Sequence, residues 1–136
     1  IGVRLVGSEM CIRDRIRART CELIAEKVLP GSSSEAFLVG LLSQIPAILD
    51  KSMEDILENL PVSEDIKSAL LEPQSNTLLR TIYDAVTLYE SGSWHLCTIQ
   101  CYRLRMEYDE LGEYMLESVN WANCYSQIER VKKKTA

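Results

Sequence analysis

Apolar residues recur at three- and four-residue spacings along most of this chain, in blocks separated by Pro30-Gly31, Pro46, Leu60-Pro61, Pro73 and Ser91-Gly92. That period belongs to helices packed through one face, and proline and glycine mark where each helix stops. Nowhere do four or more residues alternate apolar and polar between turn signals, and there is no Asn-Gly or Asp-Gly hairpin signal. No sheet is therefore expected, and the fold class is all-α, an irregular multi-helix domain. With 136 residues, one domain with a real core is expected rather than two.

The spacing of Ile16, Ala18, Cys21, Ile24, Ala25 and Val28 predicts a first helix over 16–28. Ser32-Ser33-Ser34 offers N-cap hydroxyls to a second helix, Glu35 to Leu42, which is apolar on every face and so expected at the centre. Pro46 should kink or end it. Ser52 with Asp55, and Ser63 with the acidic Glu64-Asp65, read as N-caps of two short helices. Ser75 or Asn76 should cap a longer helix with the stripe Leu78, Leu79, Ile82, Tyr83, Val86 and Tyr89. Trp94 to Leu104 forms a further helix. A last one, 109–132, carries two stripes: Leu111, Met115, Val119 and Ala122, then Tyr114, Trp121, Tyr125 and Ile128.

The chemistry available is limited. A net charge of -5 gives no clustered basic footprint for nucleic acid. The apolar run from Ala36 to Leu49 is interrupted by Ser43, Gln44 and Pro46 and is too short for a bilayer span, and no secretory signal opens the chain. Cys11, Cys21, Cys97, Cys101 and Cys124 are odd in number and form no CxxC pair, which fits reduced thiols and a cytoplasmic location.

His95 is the single histidine. With Cys97 and Cys101 it offers three metal-type ligands where a closed zinc site wants four, and only Cys124 remains to recruit; small buried thiols are the commoner explanation. A Cys-His nucleophile pair would lack a third, orienting group. The carboxylates Glu54-Asp55-Glu58 and Glu107-Asp109-Glu110-Glu113 read as solvated helix faces, and the basic run 130–134 as a complement to a helix C-terminus. Gly40, inside a helix, reads as a point where another helix approaches closely. Trp94 and Trp121 with Tyr83, Tyr89, Tyr114 and Tyr125 read as core packing before a ligand pocket.

Several stretches in order carry a family resemblance. They are Arg17-Ala18-Arg19-Thr20-Cys21-Glu22, the run from Glu35 to Ser43, the run from Ile56 to Ser63 continuing into Ile66 to Leu71, Tyr89 to Trp94, and Trp121-Ala122-Asn123. Together they resemble the C-terminal part of an HDOD domain, the HD-related output domain found beside EAL domains in bacterial cyclic di-GMP signalling proteins. In active HD hydrolases the Gly-Leu-Leu stretch runs into the His-Asp metal-ligand pair; here Ser43-Gln44 follow Gly40-Leu41-Leu42. Pro46 and the tract Leu96 to Met106 depart from the pattern.

The resemblance implies a non-catalytic, regulatory protein-interaction module with no catalytic, metal or cofactor-binding residues of its own. Its partner would be an EAL-type domain of the same polypeptide or a second copy, met through a surface involving Phe37, Leu41, Trp94 or Trp121. A divergent metal-dependent HD-type phosphohydrolase and a helical scaffold unrelated to signalling are the alternatives. Ile1 to Arg15 resembles a translated sequencing adapter and is expected to be a non-native extension, with 16–136 a domain truncated at its N-terminus.

Overall fold

A computed structural model describes the backbone of residues 2–135 and the side chains of residues 12–124. The described residues form helices only: α1 Gly2–Val28, α2 Ser33–Leu42, α3 Ile45–Leu49, α4 Met53–Glu58, α5 Glu64–Leu71, α6 Leu78–Glu90, α7 Trp94–Arg103 and α8 Tyr108–Thr135. The expected all-α fold is therefore observed. Its frame is α1, which packs on α2, α8 and α6, while α6 in turn carries α7 and α5.

The caps follow from side-chain chemistry. Ser52 Oγ accepts the Asp55 N–H at 3.2 Å, and Ser63 Oγ accepts the Ile66 N–H at 3.3 Å, each satisfying an otherwise unpaired first-turn donor. At α6 the cap is Thr77, whose Oγ1 accepts the Arg80 N–H at 3.2 Å, one or two residues beyond the expected Ser75 or Asn76. Ser32 occupies the N-cap position of α2 without a side-chain cap bond.

Three further expectations are corrected. The first helix starts at Gly2 rather than Ile16, so the segment expected to be an extension continues the helix without a break. Proline does not end α2: that helix stops at Leu42, and Pro46 instead stands in the first turn of α3, where its missing N–H costs nothing. Nor is α2 buried all round, since only Ala36, Val39 and Gly40 are, while Phe37, Leu38, Leu41 and Leu42 stay half-buried. Its outer apolar face is wider than α1, α6 and α5 cover.

The core joins Cys21 and Ile24 of α1, Val39 of α2, Ile82 and Val86 of α6, and Leu111 of α8. Thr20 and Ser118 are buried polar groups within it. Thr20 Oγ1 lies 2.7 Å from the Ile16 carbonyl and 2.9 Å from Ser118 Oγ, and Ser118 donates to the Tyr114 carbonyl at 2.8 Å. Both hydroxyls are thereby satisfied and tie α1 to α8. A Cβ on Gly40 would lie 2.8 Å from the Ala18 Cα, so the close helix approach read from the sequence is real, and its neighbour is α1 backbone. Of the α8 stripes, Leu111 and Ala122 are buried and Met115, Val119, Tyr114 and Trp121 half-buried; the side chains of Tyr125, Ile128 and the basic run 130–134 lie outside the described residues, as does that of Cys11.

Candidate functional site

The break between α2 and α3 is where Ser43 and Gln44 stand, and three helices converge on it. Ser43 is the C-cap of α2: its N–H bonds the Val39 carbonyl, and its Oγ donates to the Gly40 carbonyl at 2.8 Å. From α1, Arg17 donates through Nη1 to Ser43 Oγ at 3.2 Å. The same guanidinium donates through Nε and Nη2 to both carboxylate oxygens of Glu90, at the end of α6, at 3.0 and 2.6 Å. Such a two-pronged pair fixes the planar guanidinium in place far better than a single contact. Glu90 also raises the pKa of Arg17, chiefly through that hydrogen bond, so the cation is permanent.

Next to the pair lies a cavity of about 590 Å³ lined by Arg13, Asp14, Ile16, Arg17, Gln44, Tyr89, Glu90 and Met115. Asp14, from the segment expected to be non-native, is only 5% exposed. Burial pushes its carboxyl pKa up; Arg17 opposes that shift and Glu90 adds to it. Tyr89 packs against Tyr108 with the rings tilted and their centroids 5.2 Å apart. The arrangement suits a rigid ionic knot better than nucleophilic chemistry: the Ser43 hydroxyl proton is spent on the Gly40 carbonyl, and both oxygens of Glu90 are engaged by Arg17.

His95, Cys97 and Cys101 are not brought together. Cys97 and Cys101 point into the core, with Cys97 Sγ 3.4 Å from the Ala85 carbonyl, whereas His95 is exposed and its ring lies tilted beside that of Trp94, centroids 4.5 Å apart. Burial pushes the Cys97 thiol up to about 12, and Cys101 is raised too, so neither is primed as a thiolate. Cys21, Cys97, Cys101 and Cys124 are free thiols. Among the described residues no three His, Cys, Asp or Glu side chains could jointly hold a metal ion.

The four surface candidates lie on three helices. Phe37 and Leu41 lie half-buried on α2, and half-buried Trp121 on α8 lies under the Arg19 guanidinium at 5.7 Å. Trp94, 54% exposed, begins α7, which packs on α6 and α8. Sequence reading missed Arg17 and Glu90 as a pair; 73 positions separate them, and no local pattern links an arginine in one helix to a glutamate at the end of another. Among the described residues no helix is long and apolar enough to cross a membrane.

Against known proteins, the chain is 30% identical over 113 residues to the cyclic di-GMP phosphodiesterase CdgJ of Vibrio cholerae, a match covering 82% of this chain and 26% of that protein. It is 32% identical over 108 residues to the uncharacterized protein YuxH of Bacillus subtilis, covering 79% of this chain and 25% of that protein. The chain thus spans about a quarter of the length of the curated relatives it matches. No family model and no solved structure matches it.

Proposed function

We propose that residues 16–136 are the C-terminal part of an HDOD-type domain that serves cyclic di-GMP signalling in the bacterial cytoplasm by binding protein, without turnover of its own. Similarity to CdgJ supports the signalling link. The ordered stretches from Arg17 to Asn123 support the HDOD assignment. The observation that carries the non-catalytic reading is the Arg17 guanidinium hydrogen-bonded to Ser43, at the position where the resemblance puts a metal-binding His-Asp pair. A fixed organic cation there repels a second cation and leaves the site with charge already balanced by Glu90. Any phosphodiesterase activity then belongs to an EAL domain outside this chain, which is the expected binding partner, with Phe37, Leu41, Trp94 and Trp121 on the contact faces.

The deciding assay incubates the purified chain with Mn²⁺ or Ni²⁺ and cyclic di-GMP. No turnover is expected; hydrolysis abolished by His95→Ala would overturn the reading.

A further inference from the structure

Among the described residues, helix α7 buries one side against the fold and leaves large apolar side chains exposed on the other. Cys97, Cys101 and Leu104 are buried against the fold, whereas Leu96 and Ile99 are 55% and 54% exposed and Tyr102 is 83% exposed. Spacings of three and four residues put Leu96, Ile99, Tyr102 and Arg103 on one side of the helix, with exposed Trp94 at its N-terminal end. A stripe of large apolar side chains on a surface helix marks an interaction site rather than ordinary surface.

Charge says what kind of partner fits. The chain holds 20 Asp and Glu, yet none lies between Glu90 and Glu107, an interval that contains Arg103 and Arg105. The face is therefore apolar with a basic edge, on which Arg103 also feels Asp84 of the neighbouring α6 and Arg105 is exposed just past the helix end. Arg103 is held in place by donating to Asn76 Oδ1 at 3.1 Å. Beyond α7 the basic edge runs into a groove lined by Tyr102, Arg103, Arg105, Met106, Glu107 and Glu110; Glu110 is engaged by Lys27, leaving Glu107 as the acidic boundary.

Backbone geometry supplies a second, independent observation. The end of α7 closes with the Arg105 N–H on the Tyr102 carbonyl and the Met106 N–H on the Cys101 carbonyl, both 3.0 Å. This closure puts its central residue in the left-handed region, and Arg105 sits there at φ 57°. Glycine takes that conformation without strain, and an arginine does not. Asp50 shares this conformation at φ 53°, so what marks Arg105 is its place, an exposed cation at the edge of the apolar stripe.

We propose that the outer face of α7, built from Leu96, Ile99 and Tyr102 and edged by Arg103 and Arg105, docks an acidic amphipathic helix of a partner protein. The apolar stripe receives the partner's Leu or Ile side chains, and the two arginines pair with the Asp or Glu flanking them. A second copy of α7 is a poor occupant, because no Asp or Glu lies between Glu90 and Glu107 to meet the two arginines. This surface rests on the binding-module reading above and adds to it a location and a partner chemistry.

The test uses the whole chain and fluorescein-labelled helical peptides of about 14 residues, long enough to hold a helix when docked, one with a Leu stripe flanked by Glu and one flanked by Lys. Fluorescence anisotropy should show binding of the Glu peptide, weakening with salt, and at least about tenfold preference over the Lys peptide. Ile99→Asp should abolish it. Arg105→Gly should raise the melting temperature and yet weaken binding several-fold, which separates docking from folding. The proposal fails if neither peptide binds, if both bind alike, or if Arg105→Gly binds as well as the parent. It also fails if Ile99→Asp instead removes binding to phosphatidylserine vesicles or self-association in sedimentation velocity. Turnover of cyclic di-GMP would sink the binding-module reading, whereas these outcomes sink only the α7 surface.

Discussion

Asp14 shows how a single carboxyl reports on its surroundings. Being 5% exposed, it is short of water, and burial outweighs the attraction of Arg17, so its pKa lies above the ordinary 3.8. The folded state therefore prefers the protonated acid more than the unfolded chain does. The stability this contributes is fully present below the ordinary pKa and is lost as pH rises through the raised one. Asp14→Asn keeps the shape and removes the charge. We expect the variant to melt at a higher temperature than the parent at pH 7, with the difference shrinking towards zero near the ordinary pKa of 3.8. Circular-dichroism melts at both pH values check this, and a variant no more stable at pH 7 would contradict it. The buried thiols follow the same logic, with Cys21 pushed up to about 12 by its burial.

At the scale of the element, the α1–α2 crossing depends on Gly40. A methyl group there would meet the Ala18 Cα at 2.8 Å and its N at 3.1 Å, and neither is the end of a flexible side chain. Gly40→Ala gains helix propensity worth about 1 kcal/mol but must push α2 off α1. We expect a net loss of about 1–3 kcal/mol, the usual range for overpacking, read as a lower urea midpoint. Most elements were legible before the structure because spacing and punctuation are local: Ser52, Ser63 and Gly92 ended or began helices where their chemistry says they should. The α6 cap moved to Thr77 because three neighbouring polar side chains compete for one position, and only the path of the preceding loop decides among them. Periodicity also misjudged α2. Unbroken apolarity permits burial on every side, but the number of neighbours that arrive is a tertiary fact.

At the scale of the whole molecule, α1, α2 and α6 meet at the Ser43 site through a contact no local rule could supply. Ser43-Gln44 was legible through its place after Gly40-Leu41-Leu42, whereas Arg17 and Glu90 meet only once α1, α2 and α6 are assembled. Their side chains are 13% and 30% exposed, between a surface pair, worth about 0–1 kcal/mol, and a fully buried one, whose desolvation offsets much of its attraction. Two-pronged geometry and the extra bond to Ser43 favour a real coupling. In a double-mutant cycle of Arg17→Met and Glu90→Gln we expect a coupling of about 1–2 kcal/mol by urea unfolding at pH 7. Because Asp14 also feels both charges, the cycle should be repeated with Asn at position 14. A coupling that survives there belongs to the Arg17–Glu90 pair, and one that vanishes would mean that the stability resides in the carboxylate cluster. If the pair is structural, disrupting it should loosen all three helices together, lowering hydrogen-exchange protection in α1, α2 and α6 alike. Loss confined to the end of α6 would reduce the contact to a local tether.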